Sequence, residues 1–196
     1  MIEGLKPFYN STLRPIAVLC AKANVHPHAI SIAGIVISFV AAYFCALGPW
    51  LYAAVLVAFA GCLDGLDGLV ARQTGKQTRF GAVLDSTGDR FTEAAWLFGL
   101  MIFFVVHPKN GHAGIYLAFL AQAGSQMVSY VRARCEGAGI ACTAGILQRP
   151  ERIMVLIACL LLGPNIMEWG LGLIAALGFF TAAQRLWLAY RSVAER

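Results

Sequence analysis

Charge is what this 196-residue chain has least of: Asp, Glu, Lys and Arg together make up 13% of it, against about 25% in typical soluble domains. Hydrophobic residues make up 59%, and the mean hydropathy is +0.70. The deficit excludes an ordinary solvated surface and implies an integral membrane protein, one domain over residues 1–196, with no nucleic acid among its partners. A zinc or disulfide framework is also missing. The six cysteines (Cys20, Cys45, Cys62, Cys135, Cys142, Cys159) lack metal-ligand spacing beyond a loose Cys135/Cys142 pair, so buried reduced thiols are expected. No secretory signal is evident, because the first 28 residues are mixed polar and the first apolar run is long enough to span. His26, His28, His107 and His112 have no ligand spacing near an acidic group and read as interface residues.

Long apolar runs are abundant instead. A membrane helix needs about 20 mostly apolar residues, and six stretches qualify: Ala29–Leu47, Leu51–Val70, Ala82–Val106, Ala113–Val131, the shorter Ile153–Met167, and Trp169–Leu188. The expected fold is therefore all-α, with six transmembrane helices. Breaks fall at Gly48-Pro49, Gln73–Phe80, His107–Gly111, Glu136–Arg152 and around Pro164–Glu168. Residues 1–28 place Lys6, Arg14 and Lys22 among Leu5, Phe8, Leu13, Ile16 and Leu19. They read as a juxtamembrane amphipathic helix lying on the membrane surface, with a solvated tail as the alternative. With this topology every one of the 15 basic residues except Lys109 falls on one side. The positive-inside rule makes that side cytoplasmic and puts both termini there, in the cell membrane. Trp50, Trp96, Trp169 and Trp187 include candidate interfacial anchors. The run Gly170, Gly172, Ala175, Ala176, Gly178 permits close helix packing, either within the chain or in a dimer.

Four carboxylates stand out against this background. Asp64, Asp67, Gly68, Ala71 and Arg72 form D-x-x-D-G-x-x-A-R; after eight intervening residues Gly81, Asp85 and Asp89 form G-x-x-x-D-x-x-x-D. Asp64 and Asp67 share a helix face at i, i+3, and Asp85 and Asp89 share one at i, i+4. The second span returns to the cytoplasmic side with its pair near its end, and the third leaves with its pair near its start. Both pairs thus sit at similar depth, joined by a loop carrying Arg72, Lys76 and Arg79. Charge inside membrane helices faces a bundle interior or a wet cavity. Two such faces form an all-oxygen site for hard divalent cations. Gly68, Ala71 and Gly81 keep the backbone bare for a base or diphosphate, and the basic loop supplies charge for phosphates. Two ions about 3.5–4 Å apart clamp a diphosphate during in-line displacement, and an edge carboxylate acts as general base. A proton relay, a cation-holding transporter or scaffold, and a structural polar network are the competing readings.

The eight fixed residues of this string are the signature of the CDP-alcohol phosphotransferases, and the chain resembles that family. The resemblance implies six spans, a homodimer, and two Mg2+ or Mn2+ ions held by Asp64, Asp67, Asp85 and Asp89, with Asp89 as base. It implies that Gly68, Ala71, Arg72, Thr78 and Gly81 bind a CDP-diacylglycerol-type lipid, or a CDP-diether lipid. An acceptor hydroxyl then attacks the lipid-side phosphorus and CMP leaves. Intramembrane prenyltransferases also bind diphosphates through aspartates but lack the Gly68, Ala71-Arg72 and Gly81 frame.

The acceptor is read from the basic residues near the fourth, fifth and sixth spans. Ser129-Tyr130-Val131-Arg132-Ala133-Arg134-Cys135-Glu136 and Gln148-Arg149-Pro150-Glu151-Arg152 carry four arginines. A neutral alcohol does not need them; a phosphorylated one does, since guanidinium forks match phosphate oxygens. Positive-inside placement explains some of them equally well. Leu84-Asp85-Ser86-Thr87-Gly88-Asp89-Arg90, the S-Y-x-(basic)-A-R-x-E stretch, Glu151-Arg152 and Gln184-Arg185 are similar to the bacterial and archaeal inositol-phosphate-using branch. That likeness implies inositol 1-phosphate as acceptor, with Arg132, Arg152 and Arg185 on its phosphate. Arg132 stands where a lysine is more usual. Glycerol 3-phosphate, giving a phosphatidylglycerophosphate synthase, is the alternative.

Overall fold

Glycine and proline decide where the helices stop. A computed structural model of the chain describes residues 6–108, 112–142 and 144–194, with side chains from Ser11 onward. Among these residues there are seven helices and no strand: α1 (Lys6–Lys22), α2 (Pro27–Leu47), α3 (Trp50–Thr74), α4 (Arg79–Val106), α5 (Ala113–Gly137), α6 (Arg149–Leu162) and α7 (Pro164–Ala194). Gly48 (φ 100°) closes α2 with its N–H on the Phe44 carbonyl, in a left-handed conformation that a side chain disfavours. Lys109 (the one basic residue assigned to the far side), Arg196 and the first five residues of the amphipathic segment lie outside the described residues, as does the side chain of Lys6.

Five of the six expected spans fall inside single helices. The fifth does not: Ile153–Met167 crosses a break at Gly163 (φ 96°), where the Gly163 N–H closes α6 on the Cys159 carbonyl. Pro164 then opens α7 instead of interrupting it, because its missing N–H is no loss in a first turn and its fixed φ suits a helix. The break around Pro164–Glu168 thus shrinks to Gly163, and Met167 belongs to α7. By length and composition α2, α3 and α7 are long and apolar enough to cross a membrane.

The chain divides into two compact units, Met1–Gly99 and Leu100–Arg196. In the first, α2 braces both helices that carry the aspartates. Against α3 it runs antiparallel, and a Cβ on Gly34 would lie 3.5 Å from the Leu63 Cβ. Against α4 it runs parallel: Trp96 donates its indole N–H to the Ser38 carbonyl at 3.1 Å, and Gly99 lies flush on the Ala42 carbonyl. Leu66 and Val70 of α3 close a small core with Ala17 of α1 and Ile30 of α2. Trp50 and Trp96 are buried, and only Trp169 and Trp187 are exposed in the manner of anchors.

In the second unit α5 and α7 run parallel at backbone contact. A Cβ on Gly178 would come 3.1 Å from the Gly124 carbonyl carbon, and one on Gly170 would strike the Cys159 sulfur. Part of the small-residue run is thereby used within the chain. His112 supplies no side-chain cap for α5; Glu168 of α7 does so instead, accepting the Gly114 N–H at 2.7 Å. All six cysteines are free. Cys142 packs with Cys135, Val128, Val131 and Ala182. Burial, then the hydrogen bond with Cys135, pushes its thiol above the ordinary value.

The two glycines of α7 should therefore respond differently to one methyl group. Gly178→Ala meets backbone and should lower stability by about 1–3 kcal/mol. Gly172→Ala, whose Cβ would meet only the Leu117 Cδ2 at 3.8 Å, should be neutral or stabilising by up to about 1 kcal/mol. Thermal unfolding in detergent, followed by circular dichroism, separates the two.

Candidate active site

The acidic site is built by two helices joined through a tight turn. Gly75 (φ 66°) ends α3 with its N–H on the Ala71 carbonyl, which also accepts the Lys76 N–H at 3.1 Å. Thr78 then starts α4: its hydroxyl oxygen accepts the Gly81 N–H at 2.9 Å, which satisfies one of the donors a helix start leaves open. The chain is thus reversed within a few residues, and the end of α3 and the start of α4 lie side by side.

One carboxylate oxygen from each of Asp64, Asp85 and Asp89 falls within 4.8 Å of the others. Asp64 and Asp89 are half-buried and Asp85 is exposed. Oxygen ligands about 2.0–2.1 Å from one Mg2+ lie up to about 4.2 Å apart, so small side-chain movements bring the three acids onto a shared ion. An all-carboxylate donor set suits Mg2+ or Mn2+ over softer metals, and the residues present fit the expected cofactor. Asp67 is set apart from this trio. It is 7% exposed and accepts a hydrogen bond on Oδ2 from the Ser31 hydroxyl of α2. It also accepts one from the Gly68 N–H and remains within electrostatic reach of Asp64 and Asp85.

The glycines of the motif are not equally open. At Gly68 the space a side chain would fill is covered by the Arg72 guanidinium, with Nη1 3.4 Å from the position of a Cβ. The positive fork is thereby laid over bare helix backbone, one turn from its own Cα. At Gly81 a Cβ would lie 3.0 Å from both the His28 ring and the Thr78 hydroxyl. Part of the face that Gly81 leaves bare is thus taken up by His28 of α2 and by Thr78. His28 also meets Phe80 edge-on at 6.0 Å and His26 at 4.8 Å. Ser31 and His28 are the residues that sequence reasoning passed over. Ser31 has no spacing relation to the aspartates, and only the packing of α2 on α3 brings it there.

The three arginines gather in the second unit. Arg132 is exposed and paired with Glu136 one turn along α5 at 2.8 Å. Arg152, 2% exposed, donates Nη1 to the Leu147 carbonyl at 3.3 Å. Arg185, 3% exposed, donates Nε to the Ala144 carbonyl and Nη1 to the Val128 carbonyl, both at 2.7 Å. The charges of Arg132 and Arg152 act on Arg185, so the three form one electropositive cluster. Arg185 and Arg152 also pin the segment between α5 and α6, helped by Thr181, which accepts the Leu147 N–H at 3.4 Å.

A family model described as CDP-alcohol phosphatidyltransferase matches residues 24–187. The archaetidylinositol phosphate synthase of Methanothermobacter thermautotrophicus is 35% identical over 95% of this chain and 92% of its own length. The phosphatidylinositol phosphate synthase of Corynebacterium glutamicum is 35% identical over 97% of this chain and 89% of its own. Among solved structures, the Mycobacterium tuberculosis phosphatidylinositol phosphate synthase with CDP-DAG bound superposes with a TM-score of 0.84 at 30% identity, covering 91% of this chain and 93% of that one. The same enzyme in complex with manganese and citrate gives 0.82 at 29% identity, over 91% and 88%.

Divalent ions should stabilise the protein through the acidic trio. Mn2+ at a hundredfold excess over its Kd should add about 2.7 kcal/mol to wild-type stability. Asp85→Asn should lose that gain, yet in EDTA it should melt at or above the wild-type temperature because one mutual repulsion is gone. Thermal shift with and without Mn2+ reads both effects.

Proposed function

Because this chain belongs to the CDP-alcohol phosphatidyltransferase family, we propose that it transfers a phosphatidyl-type group from a CDP-diacylglycerol or CDP-diether lipid to inositol 1-phosphate, releasing CMP. The observation that carries the choice of acceptor is that Arg152 and Arg185 both donate to the 144–147 segment, with Arg132 within electrostatic reach of Arg185. A phosphorylated acceptor answers that charge and a neutral polyol does not. The names of the relatives in Methanothermobacter and Corynebacterium support the same acceptor. The lipid bound to the M. tuberculosis enzyme supports the donor, and its manganese supports the metal.

In this reading Asp64, Asp67, Asp85 and Asp89 hold two Mg2+ or Mn2+ ions. When bound, the ions supply charge to the diphosphate and to the leaving CMP oxygen. Gly68, Ala71, Arg72, Thr78 and Gly81 bind the CDP portion, with the Arg72 guanidinium over Gly68 as the nearest positive group. Asp89 takes the proton from the acceptor hydroxyl. That oxygen forms a bond to the lipid-side phosphorus while the bond to the CMP oxygen breaks, and CMP leaves as the anion. The six helices α2 to α7 form the membrane bundle, with the 14-residue α6 as its short fifth member; α1 lies on the membrane surface, and the basic side, with both termini and the site, faces the cytoplasm. The enzyme acts as a homodimer.

Purified protein in detergent, given CDP-diacylglycerol and Mg2+ or Mn2+, should release CMP with inositol 1-phosphate and not with free inositol. Equal release with glycerol 3-phosphate overturns the acceptor and makes the chain a phosphatidylglycerophosphate synthase. Arg132→Ala should raise KM for the phosphorylated acceptor by roughly 10–100-fold, the worth of a charged hydrogen bond of about 1.5–3 kcal/mol, with the KM for CDP-lipid unchanged. Arg132→Lys should stay within a few fold of wild type. Asp89→Asn should bind the donor normally and turn over slowly.

A further inference from the structure

Ser31 reaches the acidic site from outside the motif. Its hydroxyl carries one proton and has two acceptors in reach: Oδ2 of Asp67, and the Pro27 carbonyl one turn back at 3.3 Å. The carboxylate is the nearer and the charged acceptor, and a bond to an ionised group is about twice as strong as one between neutral groups. The proton therefore goes to Asp67. Serine hydroxyls make such bonds across packed helices, and Gly34, one turn further along α2, faces Leu63 and the Ala60 carbonyl of α3. Asp67 is also the most buried of the four acids and the one outside the trio that shares a 4.8 Å neighbourhood.

We propose that Ser31 is a positioning residue for the ion centre: it donates to Oδ2 of Asp67, fixes that carboxylate's rotamer, and leaves its other lone pairs to bind a divalent cation. The inference rests on the reading of Asp67 as a metal ligand. A ligating carboxylate held by a hydrogen bond of its own loses less freedom when it binds an ion, and removing such a partner typically costs 10–100-fold in metal affinity. In this role Ser31 acts through Asp67.

The test is Mn2+ titration of purified full-length protein in detergent, without lipid donor, reading free Mn2+ by its six-line electron paramagnetic resonance signal. Ser31→Ala should weaken Mn2+ binding at least tenfold. Ser31→Cys, which keeps the volume but replaces the hydroxyl with a poor donor, should fall by a similar factor and covers a failure of the alanine variant to fold. Ser31→Thr, which keeps the donor, should stay within about threefold of wild type. Wild-type affinity in Ser31→Ala or Ser31→Cys overturns the inference while leaving the ion centre intact. Ordinary affinity in Asp67→Asn, beside loss in Asp64→Asn, removes Asp67 from the ligands and the inference with it. Absence of Mn2+ binding in wild type overturns both readings.

Discussion

Three carboxylates held within 4.8 Å of one another, in a chain with so few charges, set the terms for everything around them. Two unit charges at that separation repel by roughly 3–4 kcal/mol at an effective dielectric constant of about 20. Helix propensity offers nothing to offset this, and neither does an apolar surrounding. The arrangement becomes favourable when divalent cations share the oxygens. The acids are thus kept together by rigid backbone whose stability comes from elsewhere, and they are ready for a ligand that repels none of them.

That rigidity comes largely from α2, which carries no acidic residue at all. It touches α3 through Gly34 and α4 through Gly88, Trp96 and Gly99, with His28 lodged against Gly81. At Gly81, Gly88 and Gly99 the approach is close because a side chain is missing, and at Trp96 it is fixed by one directed hydrogen bond. A bilayer supplies little hydrophobic drive for helix pairing, so small residues and interhelical hydrogen bonds take on that work. The glycines of the motif consequently differ in their surroundings. Gly68 is overlaid by a positive fork suited to phosphate, whereas Gly81 shares its face with His28 of α2 and the Thr78 hydroxyl.

The second unit meets the same constraint with the opposite sign of charge. Arg152 and Arg185 are buried, and their guanidinium groups donate to backbone carbonyls of the segment that links α5 to α6. A buried cation is costly unless its donors are satisfied, and carbonyl acceptors satisfy them without cancelling the charge. The result is a fixed positive cluster in which Arg132, exposed and tied only locally to Glu136, is the most adaptable member. A segment shaped by arginines in this way suits recognition of an anion by geometry as well as by charge.

Much was legible in the residues alone. The all-helical class followed from apolar run lengths, and the nearness of Asp64, Asp85 and Asp89 followed from their spacing on two consecutive helices, whereas the separate place of Asp67 did not. Metal type followed from donor chemistry, which needs no coordinates. Pairing between distant helices was not legible. That Ser31 would meet Asp67, that His28 would fill Gly81, and that α6 would end at Gly163 with Met167 passing to α7 depend on helix register and on which backbones can touch. Local sequence sets which side chains share a face. Only the packed structure decides which faces meet, since that depends on the absence of atoms at Gly81, Gly99 and Gly178 as much as on the presence of any.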